Sequence, residues 1–178
     1  FFEFVLTKDK DYPGNLNATD FGQYPLDLIV VLKLYEELEG DIGDLLPGCV
    51  NLRVFVVRDN KKLTGDIQAL EKCPNMTETD FSGCSAIEGV FTGKIIRMIS
   101  DIRAKHGKDS VNLSNCGKFT LAEDLSDISD MTNIDLSRIN SIEGGCCLEE
   151  CSFLRLRTSP HLVPRIFLRN ILRIFKSG

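Results

Sequence analysis

The residues with the strongest claim to chemistry lie in Gly145-Cys146-Cys147-Leu148-Glu149-Glu150-Cys151, three thiols and two carboxylates in one short run. Thiolates in such company are ligands for zinc or an iron–sulfur cluster. Two observations weigh against a metal here. Adjacent cysteines reach a single ion with difficulty, and no Cys-x-x-Cys pair is present. Structural or reactive thiols are therefore the better reading. His106 and His161 are the only histidines, and neither has a Ser, Cys or Asp partner at motif spacing. No glycine-rich phosphate loop occurs: Gly40, Gly65, Gly89 and Gly144 each recur in one short phrase instead. The residue types point to no enzyme, no metal and no cofactor.

Those glycines lead to the elements that position everything else. Leu38-Glu39-Gly40-Asp41-Ile42 returns as Leu63-Thr64-Gly65-Asp66-Ile67 and again as Ile87-Glu88-Gly89-Val90, at offsets of 25 and 24 residues. A fixed period in the twenties is the mark of stacked supersecondary units. Upstream of the phrase, Leu52-x-x-Phe55-x-Val57-x-x-Asn60-x-x-Leu63 is repeated as Met76-x-x-Thr79-x-Phe81-x-x-Cys84-x-x-Ile87. Cys151 falls on the first apolar position of a later copy, and Cys84 and Cys116 fall on the Asn position. A cysteine there serves as a small buried group with a weak S–H donor. This pattern resembles the leucine-rich repeat, and the Leu-x-Gly-x-Ile tail resembles its plant-type variety. The resemblance covers residues 27–162. It implies an α/β solenoid, a curved horseshoe of about six repeats with one parallel sheet on its concave face, and a function in binding other proteins.

Within that scheme residues 1–26 are an N-terminal cap or docking arm, 27–162 are the repeats, and 163–178 are a basic amphipathic C-terminal helix or cap. The first repeat runs from Asp27 to about Pro47, with Val30 and Leu32 inward and Tyr35 in the place of the Asn. Period-2 alternation puts Phe55 and Val57 inward on the second strand. The third repeat carries an insertion, Gly93 to Gly107, in which Ile95, Ile96, Met98, Ile99 and Ile102 recur at helical spacing. A helix of about three turns closed by Gly107 is expected there. The later strands centre on Leu113, on Ile134 and Leu136, and on Leu154 and Leu156.

A hydrophobic content of 43% in 178 residues suits one domain with a core. No apolar run is long enough to span a membrane. No signal-peptide pattern is present and the chain lacks an initiator Met, so a processed or truncated product is expected. The net charge of −5 is uneven. The six basic residues after Glu150 face no acid, which leaves 15 basic against 26 acidic residues, or −11, on residues 1–150. The acidic body argues against a nucleic-acid partner. Seven cysteines are an odd number and too sparse for a disulfide scaffold, which favours a reducing compartment, cytoplasmic or organellar. The sequons at Asn17, Asn75 and Asn112 are short enough to arise by chance.

The outward strand positions are the expected binding surface: Ile29, Val31 and Lys33; Val54, Val56 and Arg58; Glu78 and Asp80; Asn112; Asp135; Phe153, Arg155 and Arg157. The four aliphatic residues among the first of these make an apolar patch, to be covered either by the Phe1-Phe2-Glu3-Phe4 segment folded over it or by a partner. In the tail, Arg165, Arg169 and Arg173 form one stripe, and Phe167 and Phe175 belong to the apolar remainder. That composition suits a cap that also contacts a partner's groove or an anionic membrane surface. The reading is of a non-enzymatic interaction or scaffold protein, an accessory subunit of a larger assembly. The alternative is a ligand-recognition module cut from a longer chain.

Overall fold

The computed structural model describes residues 2–6, 15–16, 25–35, 39–122, 126–128, 131, 133–136, 139, 142–143 and 155–157. Alternate strands fall into two parallel sheets. The first contains β1 (Phe2–Leu6), β3 (Ile29–Leu34), β5 (Val54–Val56), β7 (Glu78–Asp80) and β9 (Val111–Asn112), in that order. The second contains β2 (Asn15–Leu16), β4 (Glu39–Asp41), β6 (Lys62–Asp66), β8 (Ile87–Phe91), β10 (Phe119–Leu121) and β12 (Ile142–Glu143), also in chain order. A separate pair joins β11 (Asn133–Asp135) to β13 (Arg155–Arg157). Helical segments form a third row: α1 (Ile42–Leu45) and the turn Leu46–Gly48, the 3-10 helix Ile67–Lys72, then α2 (Gly93–His106).

This architecture corrects the expected horseshoe. The expected fold has one sheet, with irregular connections opposite it. Here the Leu-x-Gly phrases of the connections are themselves extended and build the second parallel sheet, six strands wide. The physical reason is backbone accounting. A connection repeated at constant length places its N–H and C=O groups beside those of the next turn, and pairing them satisfies both. The six-strand register of the first sheet also fails. Among the described residues its strands end at β9, and β11 pairs with β13, while Leu113 bridges to Ile139. At the other end, β1 lies beside β3 within the plane of the sheet rather than across its face.

The repeated phrase has a specific geometry. Gly40, Gly65 and Gly89 have φ of +126°, +130° and +127°, a region L side chains rarely enter. The Asp that follows caps the next helical segment. Asp41 Oδ1 accepts from Gly43 N at 2.7 Å at the start of α1, and Asp66 Oδ1 accepts from Gln68 N at 2.8 Å. The third copy has Val90 in that place, and the cap passes to Thr92, whose Oγ1 accepts from Ile95 N at 3.2 Å as α2 begins. Successive turns interlock here. A Cβ on Gly65 would lie 2.7 Å from Asp41 Oδ1, and one on Gly89 would collide with the Asp66 carboxylate.

On the first sheet, Leu32, Phe55, Thr79 and Val111 are register partners pointing into the core, followed two residues later by Leu34, Val57, Phe81 and Leu113. The first repeat therefore sits two residues later than expected. Leu34, not Val30, stands with Leu32, because Leu32 rather than Val30 pairs with Phe55 across β3 and β5. Where the chain leaves each strand, a buried donor reaches back one turn. Asn60 Nδ2 donates to Leu34 O (3.4 Å) of the turn before, as well as to Val57 O (2.8 Å) of its own; Cys84 Sγ donates to Val57 O (2.8 Å), and Cys116 Sγ to Phe81 O (3.1 Å). The preceding residues, Asp59, Gly83 and Asn115, all have φ between +57° and +78°, and all are types that tolerate it. Edge-to-face pairs Phe55–Phe81 (5.3 Å) and Phe91–Phe119 (4.9 Å) link turns through one contiguous core. The expected helix is present as α2, ended at Gly107 with φ +97°, and it buries Ile95, Ile96, Ile99 and Ile102.

Two outcomes follow from this packing. Gly89→Ala loses about 2 kcal/mol or more in urea unfolding, from backbone strain plus collision. In an Asp66→Ala background the added loss shrinks to the backbone part, because the three nearest atoms to that Cβ all belong to Asp66. Equal losses in both backgrounds would show that the interlock is not what requires glycine. Thr79→Val gains about 1 kcal/mol, because the fully buried Oγ1 has no hydrogen-bond partner. A loss on that substitution would reveal a partner for the hydroxyl.

Candidate interaction face

The outward side of the first sheet assembles most of the expected binding residues. Val31 and Val54 are direct register partners, and Val54 pairs in turn with Glu78. One residue pair further along run Lys33, Val56, Asp80 and Asn112. Val31, Lys33, Val54, Glu78 and Asn112 are half-buried and Arg58 is exposed. The result is an apolar pair of valines with charge on two sides.

Four positions behave differently from expectation. Ile29 is fully buried in the core, since it precedes the register irregularity and faces inward. Val56 points outward yet is only 1% exposed, and it stays outside the contiguous core cluster. Its register neighbours Lys33 and Asp80 flank it. Asp80 and Asn112 also serve the fold. Arg58 Nε meets Asp80 Oδ2 at 2.8 Å, and Asp80 Oδ1 accepts from Ser82 N at 2.9 Å. Asn112 Oδ1 accepts from Ser114 N (3.2 Å) and from Ser114 Oγ (2.8 Å). These turn-forming bonds hold the polar edge of the face in one conformation.

Asp135, Arg155 and Arg157 lie on the separate β11–β13 pair, with Asp135 in register with Arg157, and do not extend the first sheet. Phe153, Arg165, Phe167, Arg169, Arg173 and Phe175 lie outside the described residues, as do Cys146, Cys147, Cys151 and His161. His106 is exposed at the end of α2. Among the described residues no three His, Cys, Asp or Glu side chains gather into a metal site, and no helix is long and apolar enough to cross a membrane. A concavity elsewhere went unread in the sequence. It is a groove of about 660 Å³ between α2 and the preceding turn, with Lys94, Arg97 and Lys105 along it. Its one sequence signal was the basic residues interleaved among the isoleucines of the insertion.

Cys49, Cys73, Cys84 and Cys116 are buried and in no disulfide. Burial pushes the Cys49 thiol from an ordinary 9.0 to about 11, and the other three to about 12. All four are protonated at neutral pH, which removes them as nucleophiles there. The consequence for stability has a definite sign. The folded state holds these protons while the unfolded chain releases them near 9, so the stabilisation is complete below 9 and is lost as pH rises through 11 to 12. Each thiol contributes a slope of up to about 1.4 kcal/mol per pH unit in that window. Unfolding free energy measured between pH 8 and pH 11 therefore falls less steeply in Cys49→Ala than in the unsubstituted chain. Iodoacetamide at pH 8 leaves all four thiols unmodified until denaturant is added; labelling of the folded protein would place them near solvent.

No family model matches the chain, and no curated protein or solved structure matches it.

Proposed function

We propose that this is a non-enzymatic binding protein that holds a protein partner on the outward side of its first sheet, as an accessory subunit of a larger assembly. The observation that carries the reading is the Val31–Val54 pair, set side by side on an outward sheet face and bordered by Lys33, Arg58 and Glu78. An apolar centre with a charged border is the anatomy of a protein interface. The centre supplies burial, and the border supplies orientation and rejects wrong partners. The face is also stiff: its strands are tied to neighbouring turns, and its polar edge is locked by the Asp80 and Asn112 bonds. A stiff face loses little conformational entropy on binding. The buried, protonated thiols support a reducing compartment as the place where this happens.

Native mass spectrometry of the protein isolated gently from its source tests the proposal. The expected spectrum is a stable complex of fixed stoichiometry. Val31→Glu with Val54→Lys releases the partner while the melting midpoint stays within a few degrees, because both side chains are half-buried and the two introduced charges are opposite and in register. A complex that survives the double substitution intact would remove this face as the contact.

A further inference from the structure

On the helical side, the groove between α2 and the preceding turn combines two properties found together nowhere on the valine face. Its floor is apolar and adaptable: Met76 and Ile102 are buried, and Met98 is half-buried against the core. Methionine floors accept varied side chains, because the thioether is unbranched and polarisable. Its border is basic. Lys72, Lys94 and Lys105 are exposed along it, and Arg97 turns its guanidinium to a neutral acceptor, the main-chain oxygen of Asp127 (Nε to O 2.9 Å). Lys72, Lys94 and Lys105 share the groove with two acids, Glu71 and Asp101, in a body that carries −11 over residues 1–150. Glu71 is itself engaged by Thr92 Oγ1 at 2.6 Å, a bond that fastens the start of α2 to the turn before it and keeps the groove walls in place.

We infer that this groove receives an acidic peptide segment of a partner protein, one that places apolar side chains on the methionine floor and carboxylates along the lysines. The charge argument selects the occupant: a strip of exposed lysines attracts an acidic chain and disfavours a basic one. The shape argument agrees. A 14-residue helix gives a wall about 21 Å long at 1.5 Å per residue, room for several turns of a bound amphipathic segment. This second contact is independent of the valine face, so a subunit that used both would hold partners on two sides.

Fluorescence anisotropy with the full chain tests it, using a fluorescein-labelled amphipathic Glu/Leu peptide as the probe and a Lys/Leu peptide of the same pattern as the control. The Glu/Leu peptide binds saturably and the Lys/Leu peptide does not. Lys94→Glu with Lys105→Glu weakens binding by about tenfold or more, and added salt weakens it further. Val31→Glu with Val54→Lys, which leaves the net charge as it was, leaves it unchanged, and this separates the site from the valine face. Equal affinity in the charge-reversed protein, or equal binding of the two peptides, overturns the inference. So does the case in which phosphatidylserine vesicles, and not the Glu/Leu peptide, are bound in a Lys94- and Lys105-dependent way. The substituted lysines are exposed, and a circular dichroism spectrum matching the unsubstituted chain confirms that the variant is folded.

Discussion

The carboxylate of one turn packed against the glycine of the next is the contact on which the rest of this structure depends. Asp41 and Asp66 each do two things at once. Each caps the helical segment that follows it, satisfying a backbone N–H that the helix leaves open. Each also fills the space that a side chain on the neighbouring turn would occupy. The positive φ at Gly65 and Gly89 and the lack of room for a Cβ there are two separate reasons for glycine at each position. With that contact made, the second sheet stays in register, and each helical segment starts at the same height as its neighbour.

A second column does the same work at the other corner. Asn60, Cys84 and Cys116 each turn a side-chain donor back onto a carbonyl of the preceding turn. An amide and a thiol are not equal donors, and the Asn60 amide also donates to Val57 O and Arg58 O of its own turn. What they share is small size and full or nearly full burial, so the site accepts either without opening a cavity. The same burial keeps the thiols protonated. Their role is thereby tied to packing and hydrogen bonding rather than reactivity.

These two columns leave the outward surfaces free to vary. Val31 and Val54 on one side, and Lys72, Lys94 and Lys105 on another, are not needed to stack the turns. Residues that the fold does not need and that nonetheless form apolar and charged groupings are where a binding reading is best supported. Asp80 and Asn112 show the opposite case. Their polarity looked available for a partner, yet much of it is spent in turns within the chain.

Period, burial and breakers were legible in the residues alone. The offsets of 25 and 24 placed the turns, the alternation of Phe55 and Val57 marked the inward face, and helical spacing with a closing glycine located α2. These are local properties, set by the repeat of side-chain size and by the dihedral freedom of glycine, so one chain suffices to read them. Whether the connecting phrases pair with each other was decided only in three dimensions. An extended Leu-x-Gly segment has the same local signature whether its backbone meets solvent or another strand, and the choice belongs to the neighbouring turn. Register was decided there too: Ile29 turned inward and Val56 was covered because of what lies beside them, across a strand pairing that sequence spacing does not encode.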